Sequence, residues 1–198
     1  MARPRVRTPE LRQRFVEEAI DEIESNGVDS VTTRGIALRA ESSLAALNEF
    51  FGGKAGLLDA AALRGFALLA QRLVSGGAVP EGDPQEELLG ACQAHHEFGR
   101  RHPRLLALMY SRPFAEFHPS DDDLAAAKEI RRCFTDPVAR LVGRRRGDPT
   151  VIDLSVGLVS LLEGLTRQEQ SGTLGSSGRS TDRRWRRAVD TYLRGLTD

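Results

Sequence analysis

The sequence predicts an all-α protein of about nine helices, a small helical head followed by a larger helical body. Three observations predict it. Apolar residues recur three and four apart, as in Leu11, Phe15, Ala19 and Ile23. Cap-plus-proline helix starts stand at Thr8-Pro9, Asp83-Pro84 and Asp148-Pro149. Asn26-Gly27 and Phe51-Gly52-Gly53 supply helix stops, where glycine takes the left-handed conformation that ends a helix. A chain of 198 residues is long enough for a small domain plus a larger one.

Residues 1–7 form a basic arm, which either reaches a DNA minor groove or trails as a positive tail. The first helix follows from Thr8-Pro9, its basic start (Arg12, Arg14) opposite an acidic face of Glu17, Glu18, Asp21, Glu22 and Glu24. Thr32 or Thr33 caps a second helix that buries Ile36, Ala37 and Ala40. Glu41-Ser42-Ser43 breaks the pattern, and Ser43 caps a third helix burying Leu47 and Phe51. Leu44, Ala45, Asn48 and Glu49 fall on its other faces. Two short helices crossing through a tight turn are a helix-turn-helix, whose second helix can lie in a DNA major groove.

From Leu11 to Leu58 the arrangement resembles the tetracycline-repressor-like (TetR/AcrR) family of bacterial transcription regulators. Ala19, Gly27, Thr32, Ile36-Ala37, Ala40, Ser43, Leu47, Phe51, Lys54 and Leu57-Leu58 carry the resemblance. Departures stand at Glu41, where the family usually has glycine, at Ala45, where it often has glycine, at Asn48, where it has an aromatic, and at Glu49, where it has a basic or polar residue. A carboxylate near phosphates is repelled. The resemblance implies a helix-turn-helix DNA-binding domain over 1–55 and a ligand-binding and dimerisation domain over 56–198. It implies a ligand-responsive homodimeric regulator, a repressor on a two-fold operator. The departures motivate an alternative, a small-molecule-binding or interaction protein with a degenerate DNA-reading head.

A fourth helix runs from about Lys54 to Val74, and Ser75 to Gly82 is the clearest linker. A fifth helix runs from Asp83-Pro84 to about Arg101, and a short sixth from His102-Pro103 to near Tyr110. The seventh is capped by Ser120 to Asp123 and should kink or break at Pro137. Gly143 to Gly147 is a basic, solvated helix end. The eighth helix, from Asp148-Pro149, is apolar on more than one side, its stripe of Val151, Leu154, Leu158, Leu161, Leu162 and Leu165 extended by Ile152, Val156 and Val159. A flexible Gly/Ser loop spans 168–179, and Ser180 or Thr181 starts the ninth helix.

Net charge is zero, so DNA affinity must come from a local patch. Thr32, Thr33, Arg34, Ser43 and Lys54 sit at helix starts suited to phosphates. Leu44, Ala45 and Asn48 are placed for base edges, the aliphatic pair for thymine methyls and Asn48 for adenine. The dimer is expected through the last two helices, at Leu154, Gly157, Leu158, Ser160, Leu161, Gly164, Trp185, Val189 and Tyr192, with the small residues at the close contact. The effector, a small molecule, is expected inside the body against Phe66, His95, His96, Phe98, Met109, Tyr110, Phe114, Phe117, Phe134 and Glu163. Glu163 on so apolar a helix calls for a neutral state or a partner, either His95 or His96 or a cationic or hydrogen-bonding ligand.

His95, His96, His102 and His118 lack Cys or acidic partners at ligand spacing, so no metal is expected. Cys92 and Cys133 read as small apolar residues. No phosphate-binding glycine loop, nucleophile elbow or paired carboxylates appear, so neither catalysis nor a cofactor is expected. No apolar stretch reads as a signal peptide or a membrane span, and the expectation is a cytoplasmic protein with no membrane partner.

Overall fold

The computed structural model describes residues 8–77, 82–111 and 121–196. Among them the chain forms nine α-helices and no strand: α1 (Pro9–Asn26), α2 (Thr33–Arg39), α3 (Leu44–Phe51), α4 (Lys54–Gly77), α5 (Pro84–Arg101), α6 (Pro103–Ser111), α7 (Asp121–Leu141), α8 (Pro149–Gln170) and α9 (Gly178–Arg194). The basic arm 1–7, residues 78–81 of the expected linker, Phe114, Phe117, His118 and the Ser120 cap lie outside the described residues, while Ser75 to Gly77 continue α4 rather than opening the linker.

The chain packs as two compact units. One unit takes residues 8–65 together with 104–111; the other takes 66–77, 82–103 and 121–196. The single helix α4 therefore gives its first half to one unit and its second half to the other, and α6 falls in the same unit as α1–α3.

In the first unit Phe15, Ala19 and Ile23 of α1 are fully buried with Ile36, Leu47 and Leu57. Val16 and Ile20 widen that stripe, whereas Leu11 stays half-exposed. The Glu24 carboxylate accepts the Leu105 N–H at 2.9 Å, satisfying an orphan donor at the start of α6. Arg104 returns a hydrogen bond to the Glu24 carbonyl at 2.6 Å. On α4, Gly65 lets Met109 approach; a Cβ there would stand 2.7 Å from its Sδ.

In the second unit α5 is central, packed against α7, α8 and α9. Its core joins Leu88, Cys92 and Phe98 to Phe134, Val138, Leu158, Leu162, Trp185 and Val189. α7 runs through Pro137 to Leu141 without interruption. Pro137 sits near the helix end and Val138 and Ala139 are buried beside it, so packing outweighs one lost backbone bond. The 168–179 loop is shorter than its composition suggests. α8 continues to Gln170, the Thr173 and Leu174 N–H groups both donate to the Gln168 carbonyl, and Leu174 is buried. Ser177, with Ser180 reciprocating in a capping box, starts α9 ahead of the expected Ser180 or Thr181.

The reading that nothing is long and apolar enough for a membrane span is corrected by α8, which by length and composition is. Here the apolarity serves packing: Val151, Leu158, Leu162 and Leu165 are buried within the unit.

Candidate nucleic-acid interface

The helix-turn-helix is assembled from local signals. Thr32 caps α2, its Oγ1 accepting the Gly35 N–H at 3.1 Å. At the other end the Glu41 N–H donates to Leu38 O at 3.0 Å and the Ser42 N–H to Ala37 O at 2.9 Å. That pair of bonds is a Schellman stop, which needs a left-handed residue at its first position. Glu41 takes it, with φ 51°, and is the one non-glycine residue at positive φ among those described. The family's usual glycine at this place thus has a physical reason, and Glu41 holds the same geometry at a conformational cost.

Ser43 then caps α3, accepting the Ala46 N–H at 3.1 Å, and Gly52 ends it in the left-handed region at φ 67°. Leu47 is fully buried. Phe51 is only half-buried: it meets the Phe15 ring edge-on at 6.1 Å, Phe50 joins the cluster, and the Arg12 guanidinium lies over the Phe51 ring at 5.3 Å. Arg39 is fastened to Glu18 and Glu22 of α1. These contacts hold α2 and α3 rigidly while leaving one face open.

That face carries most of the residues predicted to touch DNA. Thr32, Arg34, Ser43, Ala45, Asn48 and Lys54 are exposed, and Thr33 and Leu44 are half-exposed. Ala45, Asn48 and Glu49 lie three and four apart on the outer side of α3. Lys54, at the start of α4, donates to the Asp29 carbonyl at 3.3 Å, which holds its ammonium beside the α2 end of the head. An exposed helix N-terminus with hydroxyls, an arginine and a lysine is suited to phosphate, and a rigid helix face to base edges.

The predicted effector-lining residues are divided between the two units. Met109 and Tyr110 belong to the first unit, and Phe66, His95, His96, Phe98, Phe134 and Glu163 to the second. His95 is 1% exposed and neither ring nitrogen has a hydrogen-bond partner among the described residues. Burial, helped by the charge of His96, pushes its pKa down to about 4, so the ring is neutral at pH 7. The expected pairing of Glu163 with a histidine is corrected. His96 Nε2 meets Glu169 at 2.6 Å, Glu169 also accepts Arg100 Nε at 2.6 Å, and Arg100 continues to Asp182 of α9. Glu163 is half-buried, and burial raises its carboxyl pKa against the lowering effect of Arg167.

The expected dimer residues are also corrected in part. Leu158, Trp185 and Val189 are buried inside the second unit and present no surface to a partner. Trp185 instead stacks on His96, ring centroids 4.4 Å apart. Gly157 admits Tyr192, whose hydroxyl would stand 2.5 Å from a Cβ there and donates to Leu154 O at 2.7 Å. Ser160 and Gly164 are exposed, and Leu154, Leu161 and Tyr192 are half-exposed. The outward apolar residues of α8 are Ile152 and Val156, the latter 59% exposed. With Ser160 and Gly164, two of the small residues expected at the close contact, they repeat every four residues along one stripe. Both thiols are held up by burial, Cys92 to about 12 and Cys133 to about 11, Cys133 also by nearby carboxylates. Neither is an activated nucleophile.

A head of three helices carrying a capped helix-turn-helix, followed by a helical body, defines a helix-turn-helix regulator class of protein. Residues 15–61 match the family described as bacterial regulatory proteins of the tetR family, and residues 88–192 the tetracyclin repressor-like C-terminal domain. The chain belongs to the TetR family. Similar solved structures include a protein of unknown function from Rhodococcus sp. RHA1, 24% identical over 99% of this chain and 100% of that one, with a TM-score of 0.76. Mycobacterium smegmatis BioQ is 20% identical over 94% of this chain and 97% of that one (TM-score 0.66). A TetR variant from Acinetobacter baumannii AYE, in complex with minocycline, is 18% identical over 92% and 93% (TM-score 0.67). At these identities the likeness establishes the fold. No curated protein matches the sequence.

Proposed function

We propose that the protein is a ligand-responsive transcriptional regulator, a repressor that binds a two-fold DNA operator as a homodimer, acts in the cytoplasm and performs no catalysis. The observation that carries this reading is the open face of the head: Ala45 and Asn48 exposed on a rigidly seated α3, flanked by Thr32, Arg34, Ser43 and Lys54. It is supported by relatives of the same fold, BioQ solved with its double-stranded DNA operator and TetR with minocycline.

The second copy would sit on the outer stripe of α8, Ile152, Val156, Ser160 and Gly164, continued by the groove of Leu161, Ala188 and Tyr192 beside α9. Two apolar side chains and a small-residue approach suit helix-on-helix packing. The effector would bind in the body, with His95 offering one donor and one acceptor to an uncommitted hydrogen-bonding group. To regulate, it must bind the DNA-incompetent arrangement more tightly, since equal affinity shifts nothing.

A mobility-shift assay with the gene's own upstream DNA at low salt tests the reading. A retarded complex that survives excess unrelated duplex supports it. No complex at any salt supports the alternative, a small-molecule-binding or interaction protein with a degenerate head, which the exposed Glu41 and Glu49 favour.

A further inference from the structure

The outer face of α9 concentrates positive charge in a chain whose net charge is zero. The helix carries six arginines against two aspartates. Elsewhere arginines are spent on ion pairs, Arg39 with Glu18 and Glu22, Arg100 with Glu169 and Asp182, and Arg146 with Asp136. Arg179, Arg183, Arg186 and Arg187 are exposed, and none of their guanidinium groups makes a hydrogen bond or ion pair among the described residues. Asp182 is already held by Arg100 and acts on Arg186 only as a nearby charge. Arg179, Arg183 and Arg187 stand four residues apart, so they climb the helix in steps of about 6 Å, with Arg186 beside them. With Asp182 and Asp190 the four arginines line an open groove of about 440 Å³.

A guanidinium fork matches the oxygens of a phosphate. A small anion in so open a groove keeps most of its surface in water, whereas a polyanion releases counterions at each phosphate met and gains with every arginine in the row. An anionic membrane fits less well, because the apolar side of α9, Trp185, Val189 and Leu193, is buried within the unit and has nothing to insert. We propose that the outer face of α9, centred on Arg179, Arg183 and Arg186, is a second DNA-contact surface, one that holds the phosphate backbone of duplex DNA without reading sequence. Arg187 also borders the groove offered to a second copy, so it stands at the edge of this surface. The assignment does not need the head to read an operator. Where the head does, the α9 face adds the sequence-independent affinity that keeps a protein on DNA during its search.

The experiment compares three full-length proteins on an unrelated duplex by fluorescence anisotropy across a range of salt, with thermal unfolding confirming that the variants fold. They are the wild type, the triple variant Arg179→Gln, Arg183→Gln and Arg186→Gln, and a control with the same charge loss at three other exposed arginines, Arg101→Gln, Arg131→Gln and Arg145→Gln. The α9 variant is expected to bind at least tenfold more weakly at low salt with its salt slope lower by about two, and the control to stay within about twofold of wild type. Lysine at the same three α9 positions should keep most of the slope, because the charge remains. The proposal is overturned if the α9 variant matches wild type, if the control falls as far, or if polyglutamate binds the wild-type face as tightly as duplex does, which would make the partner an acidic protein. A randomised duplex pool that yields no enriched motif, while the α9 variant still loses the unrelated duplex, removes the operator reading and leaves this assignment standing. A wild type that binds no unrelated duplex overturns this assignment whatever the head selects.

Discussion

The two ends of the molecule spend their polar groups differently. In the helix-turn-helix the polar side chains cap helices three residues away, Thr32 onto Gly35 and Ser43 onto Ala46, and the outer face stays open to a partner. In the body the decisive polar contacts are long-range. His96 finds Glu169 seventy-three residues on, and Arg100 finds Asp182 after eighty-two. A surface built from local caps can be read and re-read by changing single exposed residues. An interior braced by a four-member network of His96, Glu169, Arg100 and Asp182 is fixed as a whole.

The sharpest break in this comparison is packing beneath the open face. Leu47→Ala should cost about 2–5 kcal/mol in unfolding free energy and abolish DNA binding, because a fully buried Leu leaves a cavity under α3. Chemical denaturation checks the first part and a mobility shift the second. A loss below about 1 kcal/mol would mean that the three-phenylalanine cluster seats the helix alone.

Next comes the pH response of the body. His95 has its folded pKa depressed to about 4 by burial, from an ordinary value of 6.5. The unfolded chain therefore binds the proton first. The stability from keeping His95 neutral is complete above pH 6.5, declines as pH falls through that value and levels off below about 4, a total of about 3 kcal/mol. Stability measured from pH 4 to 8 should show that slope, and His95→Phe should remove it.

A third, smaller effect is expected where the network meets the only tryptophan of the chain. Glu169→Gln keeps the shape but takes the charge from His96 and Arg100, costing about 1–2 kcal/mol. The Trp185 emission should change with it, because His96 stacks on that ring. Emission identical to wild type would place the stacking outside the network's control.

The smallest effect belongs to the turn. Glu41→Gly should stabilise the head by about 1 kcal/mol, since glycine takes the left-handed position without a Cβ clash. Thermal unfolding that shows no gain would mean that the Glu41 side chain offsets its own backbone cost.

The same contrast governs what the sequence made legible. Helix starts and stops, the turn at Glu41 to Ser43 and the residues of the open face follow from local rules, because caps and periodicity act within a few residues. Residues whose roles depend on distant partners did not follow. Trp185 and Val189 look like interface residues on an amphipathic α9, yet they face α5 and α8 across the body. Glu163 looks like the carboxylate that needs a histidine, but Glu169, nearly two turns on, takes it. Val156 looks like an extension of one broad apolar stripe, and its 59% exposure puts it on the opposite side of α8 from the buried residues. Periodicity identifies an apolar stripe but not which of two stripes on so apolar a helix as α8 faces inward.

The central claim is that the outer face of α3 and the start of α4 read DNA by different means. The direct test measures binding of wild type, Lys54→Ala and Asn48→Ala to the upstream DNA and to single-base variants of the bound site, across a range of salt. Lys54→Ala should weaken all sequences alike and reduce the salt slope by about one. Asn48→Ala should keep the slope and relax one base pair per half-site, at about 1–3 kcal/mol. Identical profiles for the two variants, or variants indistinguishable from wild type, would contradict it.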